Sequence, residues 1–121
     1  PRTTIPERRS TFVIISDGTQ VLLERRPPSG LWGGLLVPPE GEPGDVALRF
    51  GLALGEATKL PAFKHAFTHF RLTLAPVLCR IESGFQVTEP GLDWVDLARA
   101  ADAGVPAPIK KLIRQVASAA G

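Results

Sequence analysis

A hydroxyl and an imidazole, carried by Thr68 and His69, lie where the strand pattern of the chain changes phase. In residues 63–74 the large apolar side chains fall on odd positions as far as Phe67 and on even positions from Phe70 onward. Strand side chains alternate faces with period 2, so one flat strand cannot change phase in its middle. The pattern therefore predicts two strands that meet in a turn or bulge at Thr68 and His69. Polar groups at the tip of a rigid hairpin are placed to contact a ligand.

A second set of spaced residues begins at Gly34, with Glu40 after five intervening residues and Gly55 fifteen residues beyond that. These separations resemble the signature of the Nudix hydrolase family, in which glutamates on a helix hold divalent metals that activate water. The positions of those glutamates fall within Leu48-Arg49 and Leu52-Ala53. Since an arginine and apolar residues cannot bind hard cations, we predict a Nudix-like scaffold with no metal-binding and no catalytic residues.

Composition restricts the class of protein further. The chain has 121 residues, 44% apolar and 21% charged, which predicts one folded domain and excludes a disordered chain. Its net charge of +2 is compatible with a polyanionic partner. The lone Cys79 excludes an intramolecular disulfide and a cysteine-rich metal site. No secretion signal or membrane span is recognisable, so a cytoplasmic location is expected.

The predicted elements give an α+β fold, a Nudix-like α/β/α sandwich with a mixed sheet and two main helices. We expect residues 1–9 to be the end of an interdomain linker and residues 10–121 to form the domain. The first helix is predicted over residues 46–54 and mostly buried, with Asp45 as its N-cap and Gly55 just after its end. The second begins at Pro106. Pro76 predicts an edge position or a bulge in its strand. The strands are predicted at 9–16, 20–26, 35–37, 63–67, 70–81, 85–87 and 92–97.

Three segments resemble the C-terminal domain of MutY-type adenine DNA glycosylases. Residues 25–35 (RRPPSGLWGGL), residues 65–72 (HAFTHFRL) and residues 94–97 with 104–112 match its motifs in the right order, over nearly the whole chain. Members of this family excise adenine opposite 8-oxoguanine. In them an N-terminal helical domain with a [4Fe-4S] cluster cleaves the glycosidic bond, and the Nudix-like domain helps to detect the lesion. The resemblance implies that this chain carries only the second domain, which holds no cofactor and cuts no DNA by itself.

The resemblance also implies which residues contact DNA. Thr68 occupies the position of a family serine that contacts 8-oxoguanine, and it keeps the hydroxyl. Phe67 either wedges beside the lesion or packs in the core, and His69 either reaches a phosphate or fixes the turn. Trp32 and Trp94 are expected in core or interdomain packing. The candidate phosphate contacts are Lys64, Arg71, Arg25 and Arg26.

The implied partners are double-stranded DNA containing A:8-oxoguanine or A:G pairs, the catalytic domain of the same polypeptide, and other repair proteins. Two alternatives stay open from the residues. The chain could be an independent Nudix enzyme acting on oxidised nucleoside triphosphates, or a protein-docking module that uses the groove left by the lost metal site.

Overall fold

The structure, a computed structural model, describes residues 6–81 and 90–120. In these residues the elements follow one another as β1 (Glu7–Ser16), β2 (Gln20–Arg25), β3 (Leu36–Val37), α1 (Pro43–Phe50), β4 (Ala57–Lys59), β5 (Phe63–Ala66), β6 (Arg71–Arg80), β7 (Leu92–Asp96), α2 (Leu97–Ala100) and α3 (Ala107–Ala120). The described strands form one sheet in the order β3-β2-β1-β6-β4, with β5 also paired to β6 and β7 to β2. β1 and β6 run parallel and the other pairs antiparallel, which confirms the predicted mixed sheet.

Strand β1 shows how the sheet separates two cores. Phe12 and Ile14 point to one face and Val13 and Ile15 to the other, and all four side chains are fully buried. The first face packs against α2 and α3, and the second against α1. Cys79 fills space in the second core, where burial raises the pKa of its thiol. The predicted sandwich of helices on both faces of a sheet is therefore confirmed.

The start of β1 corrects one predicted boundary. The strand begins at Glu7, and its first residues pair with β6 in parallel register, Glu7 opposite Arg71 and Arg9 opposite Thr73. Residues 7–9 are therefore part of the sheet, although they were predicted to end a linker. The length of β6 explains the difference, because it offers pairing partners beyond the β-branched run from which the strand was predicted. Residues 1–5 lie outside the described part of the chain.

Pro76 was predicted at an edge position or a bulge, and the edge alternative is wrong because β6 is not an edge strand. It lies between β1 on one side and β4 and β5 on the other. On that second side the pairing with β5 ends at Leu74 and the pairing with β4 begins at Val77. At this break the carbonyl of Pro76 accepts a hydrogen bond from the Leu60 amide, with 3.0 Å between nitrogen and oxygen. Proline is tolerated there because its missing N–H faces the gap between two partners.

Helix α1 is shorter and more exposed than predicted. It begins at Pro43, which suits a first helical turn, and ends at Phe50. Gly51 terminates it with φ of 66°, in the left-handed region that favours glycine. Of its side chains only Val46 is buried, and Leu48 is 84% exposed. The predicted extension to residue 54 was wrong, because the first of two glycines ends the helix.

The other predictions divide into three groups. The strands predicted at 20–26, 35–37 and 92–97 and the helix after Pro106 are confirmed. The three exposed residues of β4 were not predicted to be a strand, since they have no apolar alternation. The strand predicted at 85–87 lies outside the described residues. Among the residues that the structure describes, no helix is both long and apolar enough to cross a membrane.

Candidate functional site

The hairpin predicted from the phase change is present. Ala66 at the end of β5 pairs with Arg71 at the start of β6, and the Phe67 amide donates to the Phe70 carbonyl at 2.8 Å across the turn. Thr68 and His69 form the turn between Phe67 and Phe70, and both are exposed. The hairpin therefore presents a hydroxyl and an imidazole to solvent on a turn that is closed by a backbone hydrogen bond.

Aromatic rings next to Thr68 and His69 pack against one another and stabilise the tip. Phe67 and Phe70 stack at 4.7 Å between ring centroids, and the His65 ring meets the edge of Phe67 at 4.7 Å. The Arg8 guanidinium lies 5.0 Å over the Phe70 ring. Aromatic and cation–π contacts of this kind each contribute about 0.5–1.5 kcal/mol. In this conformation Phe67 packs against its neighbours, and its role as a wedge stays a prediction.

The glycine-rich loop contributes a further ring, that of Trp32. Its ring centroid lies 5.8 Å from that of Phe67 and 6.1 Å from that of Phe12 in the core. Trp32 has φ of 52°, unusual for a residue with a side chain, so the surrounding contacts must hold it there. Trp32 thus joins the hairpin tip to the core. We refer to Phe12, Trp32, Phe67 and Phe70 as the aromatic relay.

Arg25 and Arg26 make internal contacts that shape this loop. Arg25 donates from Nη1 to the Gly34 carbonyl at 2.7 Å. Arg26 donates from Nε to the Leu31 carbonyl at 3.3 Å, and its Nη1 lies 2.9 Å from Glu40 Oε1. The half-buried Arg26 therefore braces the loop beneath Trp32. A phosphate contact, which was predicted for both arginines, stays a prediction; of the two, only Arg25 is exposed.

Lys64 and Arg71 flank the tip as predicted, and both are exposed. Opposed residues of an antiparallel pair share a face, so the pairing of Lys64 with Thr73 and of Ala66 with Arg71 places the two cations on one face. Lys64 Nζ lies 3.9 Å from Glu7 Oε1. Both groups are well exposed, and such a pair contributes little. The two cations remain accessible to an anionic ligand.

The positions that hold metals in Nudix hydrolases do not fit a divalent ion in this chain. Leu52 is buried, with 7% of its surface exposed. Arg49 Nη2 lies 3.0 Å from each carboxylate oxygen of Glu24, and Glu40 is paired with Arg26. Two guanidinium groups therefore neutralise the carboxylates that a cation would need. Within residues 6–81 and 90–120 no group of three or more histidine, cysteine or acidic residues could hold a metal.

This arrangement makes a testable prediction about metals. Millimolar Mg²⁺ should leave the melting temperature of the chain unchanged. Arg49→Glu should lower the free energy of unfolding by about 1 kcal/mol, because it removes an ion pair and places a carboxylate beside Glu24. Mg²⁺ or Mn²⁺ should restore part of that loss. Arg114→Glu, an identical charge change on an exposed α3 residue, is the control and should not respond to metal. A rise of the wild-type melting temperature with Mg²⁺ would contradict the interpretation.

Comparison with known proteins agrees with this geometry. A family model described as a NUDIX domain matches residues 10–115. Two curated adenine DNA glycosylases from Buchnera aphidicola are similar in sequence. The one from the subspecies Schizaphis graminum is 26% identical over 117 residues, and the one from Acyrthosiphon pisum is 25% identical over 116 residues. These matches include 90% and 91% of this chain but only 33% of each relative, so the chain spans about a third of their length.

Solved structures show the same fold. The C-terminal domain of mouse MUTYH, determined in complex with human PCNA, superposes with a TM-score of 0.73 at 22% identity, over 92% of this chain and 88% of that one. A MutT NUDIX hydrolase from Burkholderia pseudomallei gives a TM-score of 0.65 at 23% identity, over 91% and 98%. The chain belongs to the NUDIX domain family, and its sequence is similar to part of two adenine DNA glycosylases.

Proposed function

We propose that this chain is the lesion-recognition domain of an adenine DNA glycosylase. It reads 8-oxoguanine in A:8-oxoguanine pairs, while a separate N-terminal domain with a [4Fe-4S] cluster removes the adenine. The chain alone has no glycosylase activity. The observation that carries the proposal is the exposed Thr68 hydroxyl at the end of a hairpin that is braced by the aromatic relay.

The chemistry of the lesion suits a hydroxyl at this position. Guanine presents acceptors at N7 and O6 in the major groove. In 8-oxoguanine N7 carries a hydrogen and C8 a carbonyl, so a donor lies beside a new acceptor. The hydroxyl of Thr68 can accept a hydrogen bond from the N7–H and donate one to the C8 carbonyl oxygen. The β-branched side chain also restricts χ1, which limits the directions in which the hydroxyl points.

The packing behind the tip supports recognition by reducing its entropic cost. A loop that is ordered before binding loses less conformational freedom when it meets its ligand. The ring stack between Phe67 and Phe70 and the contact with Trp32 supply that order. His69 is exposed beside Thr68, and its proposed role is either to reach a phosphate or to fix the turn.

The charges near the tip support a DNA partner. Lys64 and Arg71, both exposed on one face of the hairpin, can contact backbone phosphates near the base that is read. Further partners are the catalytic domain of the same polypeptide and other repair proteins. The complex of the mouse MUTYH domain with human PCNA is an instance of such a protein contact for a similar fold. Such a protein works where the chromosome is, in the cytoplasm and nucleoid of a bacterium.

The test is base discrimination by the full-length glycosylase. Thr68→Ala should reduce the preference for A:8-oxoguanine over A:G about 2–10-fold, since a hydrogen bond contributes about 0.5–1.5 kcal/mol. Thr68→Ser should retain most of the preference. Thr58→Ala, at an exposed threonine of β4, is the matched control and should change nothing. Single-turnover rates on the two duplexes measure the effect. An equal loss on both duplexes, or none on either, would refute the assignment of the tip.

The ion pairs at the former metal positions disfavour the alternative of an independent nucleotide hydrolase. Mg²⁺-dependent release of pyrophosphate from an oxidised nucleoside triphosphate by the purified chain would favour that alternative instead.

A further inference from the structure

A groove separates the start of the hairpin from the terminal helix. Its volume is about 260 Å³, and it lies between residues 61–64, which include the first two residues of β5, and one face of α3. Apolar side chains form part of its lining, among them the half-buried Phe63 and the buried Leu112. Both belong to the core on the same side of the sheet against which Trp32, Phe67 and Phe70 pack. The groove and the aromatic relay therefore lie on one face of the molecule.

Helix α3 presents donors and positive charge to this groove. Its lining residues Pro108, Lys111, Leu112 and Gln115 follow the three-to-four-residue spacing of one helix face. Lys111 and Gln115 are exposed, one turn apart. The helix carries three basic residues and no acidic one, and none of the lining residues is acidic. Within the described part of the chain Lys111 forms no ion pair. The groove thus offers positive charge to an anion and apolar side chains to the chemical group that carries the anion.

The distance between the groove and the tip sets how far from the lesion a bound duplex would reach the groove. Phe63, in the groove, and Phe67, at the tip, are four strand residues apart, or roughly 13 Å at about 3.3 Å per residue. The same length corresponds to about four base-pair steps along a duplex, at about 3.4 Å for each phosphate of one strand. A duplex that is read at Thr68 and follows the hairpin would bring the backbone of a flanking segment to α3.

We propose that this groove binds the DNA backbone about four nucleotides from the lesion. A deoxyribose packs on Phe63 and Leu112, and the adjoining phosphate accepts hydrogen bonds from Lys111 and Gln115. This inference rests on the proposed DNA-binding function and extends it to a surface distant from the tip. The contact holds the duplex in register and is indifferent to sequence, as phosphate contacts are.

The salt dependence of DNA binding by the full-length glycosylase tests the groove. Lys111→Ala should lower the magnitude of the slope of log K against log salt concentration by about 0.9, the value for one phosphate contact. Arg114→Ala removes the same charge from an exposed residue of the same helix outside the groove, so it should leave the slope unchanged. Equal slopes for the two variants would overturn the proposal.

Duplex length gives a second measurement. Two duplexes are used. One ends about two base pairs beyond the lesion on one side, and the other ends at the same distance on the opposite side. On one of them the slope of log K against log salt concentration should already be smaller for the wild type, by the amount that Lys111→Ala removes on the long duplex. On that duplex Lys111→Ala should have no further effect. A Lys111 effect that persists on both short duplexes would overturn the proposal. Binding of polyglutamate or inorganic phosphate that depends on Lys111, without any effect on duplexes, would do the same and would assign the groove to an acidic protein or a free anion.

These outcomes are separate from those of the tip. Thr68→Ala is read from the ratio of rates on two duplexes, and Lys111→Ala from the salt slope on one. A changed slope with unchanged discrimination would reject lesion reading by the tip and keep the groove. The reverse result would reject the groove and keep the tip.

Discussion

Phe12→Ala should lower the free energy of unfolding by about 3–5 kcal/mol and should also loosen the hairpin tip. Phe12 is fully buried on β1, and its ring lies 6.1 Å from that of Trp32. Its removal leaves a cavity beneath Trp32, which itself supports Phe67. Because Trp32 has a left-handed backbone that its contacts must hold, we expect the loop to relax when that support is lost. Urea unfolding measures the first effect.

Ile15→Ala separates the loss of stability from the loss of the tip. Ile15 is also fully buried on β1, but it faces the opposite core and belongs to a different cluster from Trp32. Ile15→Ala should lower the free energy of unfolding by about 2–5 kcal/mol and leave the aromatic relay intact. In a Trp94→Phe background Trp32 is the sole tryptophan, and this change removes a buried indole N–H that has no hydrogen-bond partner among residues 6–81 and 90–120. Quenching of Trp32 by acrylamide should then rise for Phe12→Ala and not for Ile15→Ala. Equal quenching in both would contradict the relay.

The hairpin tip could be predicted from the sequence because its signal is local. The phase change between Phe67 and Phe70 requires a turn wherever the strands lie in the fold. The support from Trp32 could not be predicted in the same way. Trp32 is far from the hairpin in sequence, and the two meet only because the sheet brings the glycine-rich loop and the hairpin to the same core. The signal that was present, two aromatic-rich motifs of one family, did not indicate contact between them.

The Nudix-like scaffold likewise has some features that the sequence predicts and others that only tertiary contacts define. The separations of Gly34, Glu40 and Gly55 predicted the fold family, but the end of α1 depended on which glycine took a left-handed conformation. Gly51 does so, and Gly55 instead donates its amide to the Arg80 carbonyl at 2.8 Å. Likewise the arginine at position 49 predicted the loss of a metal site, whereas its partner, Glu24 on β2, is defined only by the tertiary structure.

The same dependence on tertiary contacts makes Gly33 a sensitive position. Gly33→Ala should lower the free energy of unfolding by about 1–3 kcal/mol, the usual cost of overpacking. A Cβ there would lie 2.3 Å from the Pro28 carbonyl oxygen and 2.9 Å from its carbon. Both are backbone atoms, so no side-chain rotation can relieve the clash. The loop must move instead, and Trp32 is the adjacent residue.

Gly44→Ala is the matched control, since Gly44 lies in α1 with an ordinary φ and a Cβ added there would meet no atom of the described residues within 4 Å. Alanine is the better helix former, so this change should raise the free energy of unfolding by about 0.5–1 kcal/mol. Opposite signs for the two glycines, measured by urea unfolding, are the expected result. Under the proposed function the displaced loop should also reduce the preference of the full-length protein for A:8-oxoguanine, although Gly33 has no side chain to contact DNA. If Gly33→Ala destabilises the domain and discrimination is unchanged, the aromatic relay does not position Thr68.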